Sequence, residues 1–386
     1  MYLIEMKKRI TALILCAALA FAVCACEITP AQSASGAYGN SSGAAIAENE
    51  PFTLSEIGEA VVHTSEQKQF LSMENLYNVS RVADGTKEKS RPLPVKLEWK
   101  DNTNKQAVYT RVYVSENADM SDPLTLITME DKVSVYNLKV GVKYYWKVSA
   151  VFKDGSVTES RVAEFTTENE CPRNVYVDGS TNWRDLGGWT TKSGKKVRQG
   201  LIYRTGRLNT SNIDSSVAEI TAEGIKEATL HLKIKTEIDL RGKSESSNIT
   251  ASVLGEDVNY YLCPMNYESD LLSINADMVK KVFGILSDDD NYPVIFHCHI
   301  GTDRTGFVAY LINGLLGVSK QDLYKDYLFS NFGNIGSSRS MDDIADRYVA
   351  SLDDFGGADL SEKIRNYLIS VGVTQEQINS VVSILT

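Results

Sequence analysis

Apolar and polar side chains alternate in short runs between residues 89 and 168. Val95, Leu97 and Trp99 alternate with charged residues, and Tyr144 and Trp146 begin a similar run later in the chain. A period of two with one apolar face predicts half-buried strands. Short strands separated by turns every ~8–12 residues predict a β-sandwich over residues 89–168.

The pattern changes in residues 172–386, where strand-like and helix-like runs follow one another. Val294, Ile295 and Phe296 form a short apolar run, and from Thr305 onward the apolar residues follow helical spacing. Ser319 is placed to cap the next helix. The chain is therefore predicted to be multidomain, with a β-sandwich followed by an α/β domain whose central sheet is flanked by helices.

The N-terminus has the pattern of an export signal. Three cations at positions 7–9 precede an apolar run over residues 10–23, which is too short to span a membrane as a helix. The run ends in Val23-Cys24-Ala25-Cys26, which resembles a bacterial lipobox with Cys26 as the lipidated residue. The resemblance implies a signal peptide over residues 1–25 and an extracytoplasmic protein, lipid-anchored to a bacterial cell membrane. Ordinary secretory cleavage and an uncleaved anchor are the alternatives.

Residues 26–88 are predicted to connect this signal to the sandwich. The first half is rich in Ala, Ser and Gly and is typical of a flexible tether. The second half, residues 51–88, is ambiguous, because the stretch that begins at Phe70 fits either a short helix or a strand.

Composition and charge exclude several classes of protein. Of 386 residues, 43% are hydrophobic and 23% charged, which excludes full-length disorder and a polytopic membrane protein. The formal net charge of −10 argues against a general nucleic-acid binder, whose affinity comes from Lys and Arg neutralising phosphates. Six cysteines, of which Cys26 and two others fall in or beside the signal, do not form a disulfide framework.

The most informative stretch carries Cys298 and Arg304, with five residues between them, and lies between the predicted strand and helix. Amide groups of a loop at a helix N-terminus form an anion site, and the same field favours the thiolate form of a cysteine there. Arg304 can hold two phosphoryl oxygens with its planar fork. We call residues 298–304 the phosphate loop. The predicted phosphate-binding residues are His299, Ile300, Gly301, Thr302, Asp303, Arg304 and Thr305.

The run from His297 to Gly306 resembles the His-Cys-x5-Arg-Thr-Gly signature of cysteine-dependent phosphatases of the protein tyrosine phosphatase superfamily. With the stretches that begin at Asn182, Arg198 and Thr236, it resembles the secreted bacterial tyrosine phosphatases that also act on phosphoinositides. The resemblance implies that Cys298 attacks phosphorus, that water hydrolyses the cysteinyl-phosphate, and that no metal or other cofactor takes part.

Roles for other residues rest partly on this resemblance. It implies that Asp303 is the general acid, whereas Asp239 is an assisting group or a structural partner of Arg241. Thr305 is expected to hydrogen-bond the thiolate. Supporting roles are expected for His297, Arg241 and Arg204. Arg184, Arg204, Arg207 and Arg241 either line an anion pocket or form structural salt bridges.

The order Trp99, Tyr144, Trp146, Phe165 resembles a fibronectin type III domain, with Tyr144 bonding back to the backbone. A rigid spacer is the simplest role for such a module.

The sequence is compatible with more than one class of substrate. Thr302 stands where relatives often have Lys, which disfavours a polyphosphorylated ligand. The expected partner is a phosphorylated protein, with a phosphoinositide or inositol phosphate as the alternative. A surface adhesion protein with an inactive phosphatase fold is the alternative from another class.

Overall fold

Nine short strands form the N-terminal part of the structure. The computed structural model describes residues 50–209, 219–246, 248–267, 270–344 and 349–386. The strands are, in chain order, β1 (Phe52–Leu54), β2 (Glu59–Ala60), β3 (Val95–Asp101), β4 (Ala107–Ser115), β5 (Leu124–Thr128), β6 (Lys132–Val135), β7 (Lys143–Phe152), β8 (Val157–Glu159) and β9 (Ala163–Thr167).

These strands form two sheets that share one apolar core. One sheet has the order β1-β3-β6, and the other has the order β2-β9-β7-β4-β5, with β8 paired to β7. Trp99, Val112, Trp146 and Phe165 belong to the same buried cluster, so the inward faces of the two sheets pack together. The hydroxyl of Tyr144 accepts a hydrogen bond from the Lys139 amide at 2.8 Å, a return bond to the backbone as expected for this position.

The segment that the sequence left ambiguous contains both strand and helix. Strands β1 and β2 precede residue 89, and each is part of one of the two sheets. Phe70 lies in helix α1 (Ser65–Leu71), and a 3-10 turn follows at Leu76–Arg81. Thr64 caps α1 in a capping box with Gln67, which explains why the helix begins there.

The C-terminal part has a five-stranded central sheet. Its strands are β10 (Arg184–Asp185), β11 (Ile202–Thr205), β12 (Thr236–Asp239), β13 (Asn259–Leu262) and β14 (Val294–His297). The order is β10-β11-β14-β12-β13, so the last strand in the chain lies at the centre. The β11, β14, β12 and β13 strands are parallel, and only the edge strand β10 is antiparallel.

Helices surround this sheet and complete a mixed α/β fold. They are α2 (Ala222–Lys226), α3 (Leu271–Ile274), α4 (Ala276–Leu286), α5 (Asp303–Leu315), α6 (Lys320–Leu328), α7 (Met341–Ile344), α8 (Leu360–Ser370) and α9 (Gln375–Leu385). Helix α5 is buried along nearly its whole length, and each fully buried Leu or Phe contributes about 1.5–3 kcal/mol. Ser319 caps α6, as its position in the sequence predicted.

The proposed signal, tether and lipidation site at Cys26 lie outside the described residues. Within the described part of the chain, no helix has both the length and the apolar character needed to cross a bilayer.

Candidate active site

The phosphate loop connects the central strand β14 to helix α5. The carboxyl end of a central parallel strand is where α/β proteins bind ligands. Cys298 is the first residue after the strand, and its side chain is 2% exposed. Gly301 has a φ of +73°, and a Cβ at this position would lie 2.4 Å from the carbonyl oxygen of Thr205. The close turn of the loop therefore requires glycine.

The carbonyl oxygens of the loop are held from outside. Asn182 Nδ2 donates to the carbonyl oxygen of Gly301 at 3.1 Å, and Arg204 Nη2 donates to the same oxygen at 2.8 Å. The backbone amide of Arg207 donates to the carbonyl oxygen of His299 at 3.1 Å. The N–H and C=O of a peptide unit point in opposite directions. Because the carbonyl oxygens bind the surrounding residues, the N–H groups of the same peptide units point away from those residues.

Several of these amides have no acceptor in the described part of the protein. They belong to Ile300, Gly301, Thr302, Arg304 and Thr305. Helix α5 begins beside them, and its N-cap residue makes no side-chain capping bond. Backbone N–H groups are rarely left without a partner when they are buried. A set of such groups at a helix N-terminus is suited to bind an anion such as phosphate.

Arg304 lies beside this site and is oriented by Glu245. Its Nη1 and Nη2 donate to the two carboxylate oxygens of Glu245 at 2.5 and 3.0 Å. Burial acts to lower the pKa of Arg304, but the bonds to Glu245 and the electrostatic interaction with Cys298 raise it above its usual value. Burial also acts to raise the pKa of Glu245, and Arg304 reverses this and lowers it. Both groups are therefore charged at neutral pH.

Asp303 begins helix α5 and is engaged by two neighbours. Arg339 donates from Nε to Oδ1 and from Nη2 to Oδ2, both at 3.1 Å. The hydroxyl of Tyr327 donates to Oδ1 at 3.2 Å. The Asp303 side chain is 13% exposed, so this residue of the phosphate loop still reaches solvent.

Asp239, by contrast, is fully enclosed. It accepts hydrogen bonds from the backbone and side chain of Arg241, with Nη2 to Oδ2 at 2.6 Å, and from the hydroxyl of Tyr260 at 2.9 Å. Burial acts to raise the pKa of Asp239, but His297 and Arg241 lower it below its usual range. This geometry holds Arg241 in place and gives Asp239 a structural position.

His297 and Thr305 flank the loop on its inner side. His297 is completely buried, with Nε2 2.9 Å from Glu237 Oε1 and Nδ1 3.2 Å from the carbonyl oxygen of Cys298. These contacts fix the ring against the peptide that follows Cys298. The predicted bond from Thr305 to the thiolate is not formed, since its buried Oγ1 has no hydrogen-bond partner among the described residues.

A buried ion-pair cluster lies beneath the loop. Asp326 on helix α6 accepts from Arg184 Nε at 2.9 Å and from Arg204 Nη1 at 2.6 Å. Burial acts to raise the pKa of Asp326, and the two guanidinium groups lower it instead. Burial and the charge of Arg204 lower the pKa of Arg184 to about 10. Arg184 and Arg204 are thus salt-bridged supports of the loop, and the anion-pocket alternative does not hold for them.

The sequence pointed to the stretches that contain some of these residues and gave no indication of the others. Asn182 and Glu245 lie in stretches that resemble the phosphatase family, although no role followed from their positions. Asp326 and Arg339 carry no local signal, because their partners are 142 and 36 residues away in the chain.

Side chains suited to bind a metal do not gather at the loop. In the part of the chain that the structure describes, the single group of possible metal ligands is His63, Glu168 and Glu170. Glu168 already pairs with Lys68 at 2.8 Å and with His63 at 3.0 Å.

Comparison with known families identifies the class of protein that this fold and loop define. The model of the tyrosine phosphatase family matches residues 175–381, which is more than half of the chain. The chain belongs to this family.

Individual relatives match over shorter stretches. A candidate tyrosine-protein phosphatase of Cupriavidus necator is 29% identical over 185 aligned residues, with coverage of 41% of this chain and 63% of the relative. A tyrosine-protein phosphatase of Nostoc commune is 36% identical over 67 residues, with coverage of 17% and 23%. The chain thus spans less than two thirds of the length of either relative.

Solved structures give a weaker likeness. The core catalytic domain of the PP-IP phosphatase SIW14 from S. cerevisiae, in complex with citrate, has a TM-score of 0.28 and 18% identity, and covers 43% of this chain and 89% of that chain. A second structure of the Siw14 catalytic core has a TM-score of 0.27 and the same identity. These scores are too low to support an argument.

We predict that Asp326→Asn lowers the free energy of unfolding by about 3–5 kcal/mol at pH 7, because it leaves two buried guanidinium groups without a counter-charge. The folded pKa of Asp326 lies below the ordinary value of ~3.9. The stabilising contribution is therefore complete above that pH and is lost as the pH falls through the folded pKa. Urea denaturation at pH 7 and pH 3 should show a smaller difference from wild type at pH 3.

Asp322→Asn, on the same helix, is the matched control, and we expect a loss below about 1 kcal/mol. Equal losses in the two variants at pH 7 would contradict the role assigned to Asp326.

Proposed function

We propose that this chain hydrolyses phosphate monoesters through a cysteinyl-phosphate intermediate, with phosphotyrosine in proteins as the preferred substrate. The observation that carries the proposal is the set of loop amides that have no acceptor among the described residues, around a buried cysteine at the N-terminus of α5. Such donors stabilise the charge of a phosphoryl group during transfer.

Arg304 has N–H donors for this role that no described residue uses. Glu245 accepts one hydrogen bond from each terminal nitrogen of Arg304, and the carbonyl oxygen of Met265 accepts a long one from Nη1 at 3.4 Å. No described residue accepts from Nε or from the second N–H of Nη2. These two N–H groups lie on one edge of the guanidinium plane, which is the edge that binds two oxygens of a phosphate in parallel.

The reaction then has two steps. In the first, the Cys298 thiolate attacks phosphorus, the bond to the ester oxygen breaks, and Asp303 donates a proton to the departing oxygen. In the second, water attacks the cysteinyl-phosphate, its proton passes to the Asp303 carboxylate, and the thiolate leaves as inorganic phosphate forms. The loop amides and Arg304 hold the non-bridging oxygens throughout.

Asp303 is the better acid on structural grounds. It belongs to the phosphate loop and reaches solvent, whereas Asp239 is enclosed by Arg241 and Tyr260. Arg339 donates to both carboxylate oxygens of Asp303. Protonation therefore requires that Arg339 shares or releases the carboxylate when the dianionic substrate approaches.

Two features favour an aromatic phosphoester over a polyphosphorylated ring. The exposed ring of Tyr267 lies 5.3 Å from the Arg304 guanidinium, where a substrate phenol ring can pack. Thr302 is neutral and completely buried, so this position offers no cation to a second phosphate. The curated relatives named as tyrosine-protein phosphatases support the same choice.

We further propose that the protein is exported and lipid-anchored through Cys26, with a fibronectin type III module as a spacer that holds the phosphatase domain away from the membrane. The lipobox-like stretch that ends at Cys26 and the two-sheet architecture with its tyrosine return bond support this reading.

The first experiment measures hydrolysis of p-nitrophenyl phosphate, a phosphotyrosine peptide and a phosphoinositide by the chain without its signal. We expect the phosphopeptide to give the highest kcat/KM. A higher value on the phosphoinositide would favour a lipid phosphatase, and no hydrolysis of any substrate would favour a surface binding protein.

We predict that Cys298→Ser lowers kcat by on the order of 10⁴- to 10⁶-fold, because the nucleophile is lost. Phosphate binding should persist, since the amides and Arg304 remain. Cys171→Ala is the control and should retain wild-type kcat. Rapid quenching with a ³²P-labelled substrate should leave label on the wild-type protein only, and label on Cys298→Ser would refute the assigned nucleophile.

For the general acid, we predict that Asp303→Asn lowers kcat by ~100-fold on phosphotyrosine and much less on p-nitrophenyl phosphate, whose leaving group needs little protonation. Asp239→Asn should instead lower stability, and any loss of kcat should be equal on the two substrates. The assignment fails if the leaving-group dependence appears in Asp239→Asn and is absent from Asp303→Asn.

For the anchor, we predict that Cys26→Ala abolishes incorporation of labelled palmitate in a bacterial host and moves the protein out of the membrane fraction. Cys24→Ala should leave both properties unchanged. The reverse pattern would place the lipid on Cys24, and unchanged fractionation in both variants would exclude a lipid anchor.

A further inference from the structure

The segment over residues 64–91 packs against the catalytic part, although it lies outside the family match at residues 175–381. The ring of Phe70 lies 6.0 Å from Phe329 and 5.7 Å from Phe332, between ring centroids. Phe329 and Phe332 are fully buried in the core cluster that also contains Cys298. The segment therefore completes the hydrophobic core of the phosphatase domain.

Backbone hydrogen bonds continue this contact along residues 85–89. The amide of Gly85 donates to the carbonyl oxygen of Asn331 at 2.8 Å, and its own carbonyl accepts from the Ile335 amide at 2.8 Å. The amide of Lys89 donates to the carbonyl oxygen of Phe332 at 2.6 Å. The two pieces of chain are thus held in one register, which places Glu88 opposite the catalytic part.

Glu88 uses both carboxylate oxygens in this position. Its Oε2 accepts from the hydroxyl of Thr181 and, at 3.4 Å, from the amide of Asn334. Its Oε1 accepts from the amide and hydroxyl of Ser90 at 3.0 and 2.5 Å. The bonds to Ser90 fix the carboxylate, and the bonds on the other oxygen tie it to Thr181.

Thr181 is adjacent to the residue that holds the phosphate loop. Asn182 donates from Nδ2 to the carbonyl oxygens of Gly301 and Ile300 at 3.1 and 3.3 Å. Asn182 has a φ of +60°, a left-handed conformation that Asn tolerates better than other residues with side chains and that the contacts around it hold in place. The hydroxyl of Thr181 supplies one such restraint immediately before it.

We propose that Glu88 is a positioning residue of the phosphate loop and acts through Thr181 and Asn182. By holding Thr181, Glu88 keeps Asn182 in its left-handed conformation, and Asn182 keeps the carbonyls of Ile300 and Gly301 turned outward. The amides of the loop are then directed at the phosphate. This inference rests on the proposed function only in that the loop binds phosphate.

The test uses the chain from residue 27 onward, with inorganic phosphate as the probe. Calorimetry measures the Kd for phosphate, and p-nitrophenyl phosphate hydrolysis gives kcat and KM, both far below the melting temperature. For Glu88→Ala we expect about a tenfold higher Kd and about a tenfold lower kcat, because a small displacement of the cradle weakens every bond to the anion. Glu98→Ala, an exposed glutamate of strand β3, is the matched control and should not change either quantity.

Conservative variants separate positioning from stability. Glu88→Gln keeps an acceptor for Thr181 and should recover most of the phosphate affinity, and Thr181→Ser should behave as wild type. Thr181→Val removes the hydroxyl and should reproduce Glu88→Ala, so the proposal remains testable if one of the two does not fold.

Unchanged phosphate Kd and kcat in Glu88→Ala and Thr181→Val, even with a lower melting temperature, would overturn the proposal. Phosphate binding that weakens in these variants, in a chain whose wild type hydrolyses nothing, would support the proposal and reject the catalytic function. Normal wild-type hydrolysis with no effect of either variant would reject the proposal alone.

Discussion

Hydrogen bonds to the carbonyl oxygens of the phosphate loop determine which way its amide groups point, and the candidate site depends on that direction. These oxygens accept hydrogen bonds from Asn182, Arg204 and the backbone amide of Arg207. Once these carbonyls are bound by surrounding residues, the N–H groups of the same peptide units point the opposite way, at the start of helix α5. Gly301 is the residue whose backbone makes the turn possible.

The same requirement explains the buried charges around the loop. Arg204 can donate to the loop only if its charge is compensated, and Asp326 provides this together with Arg184. Asp239 compensates Arg241 and Glu245 compensates Arg304 in the same manner. Buried ion pairs are weak evidence for net stability, but breaking one is costly, and each pair keeps its side chains in one orientation. A chain of net charge −10 can thus present a local site for an anion without a general positive surface.

Among these arginines, Arg304 differs in how its donors are used. Asp326 and the loop carbonyls engage the guanidinium groups of Arg184 and Arg204 inside the fold, and Arg241 is enclosed by Asp239 and Asn209. Arg304 is held by Glu245 on one edge, and no described residue accepts a hydrogen bond from its other edge. A side chain that must bind an oxyanion repeatedly needs this arrangement, because a rigid fork loses little conformational entropy when the ligand arrives.

The sequence by itself determined the elements whose cause is local. Alternation around Trp99 and Trp146 predicted sandwich strands, the apolar run before His297 predicted the central strand, and the spacing of Cys298 and Arg304 located the loop. Ser319 could be identified as a helix cap because its partner lies three residues away. Local spacing suffices in these cases, since the interacting groups are close along the chain.

Only the tertiary structure decided which charged residues compensate each other and which segments complete the core. The helix around Phe70 was ambiguous because its contacts, with Phe329 and Phe332, are formed more than 250 residues away. The sequence indicated no roles for Asp326, Arg339 and Glu88, because their partners in the site are also distant along the chain. The hydroxyl of Thr305, expected at the thiolate, has no partner among the described residues, because the orientation of a side chain follows from the packing around it. The physical cause is common to all of them: partner choice depends on distances in space, which residue order does not contain.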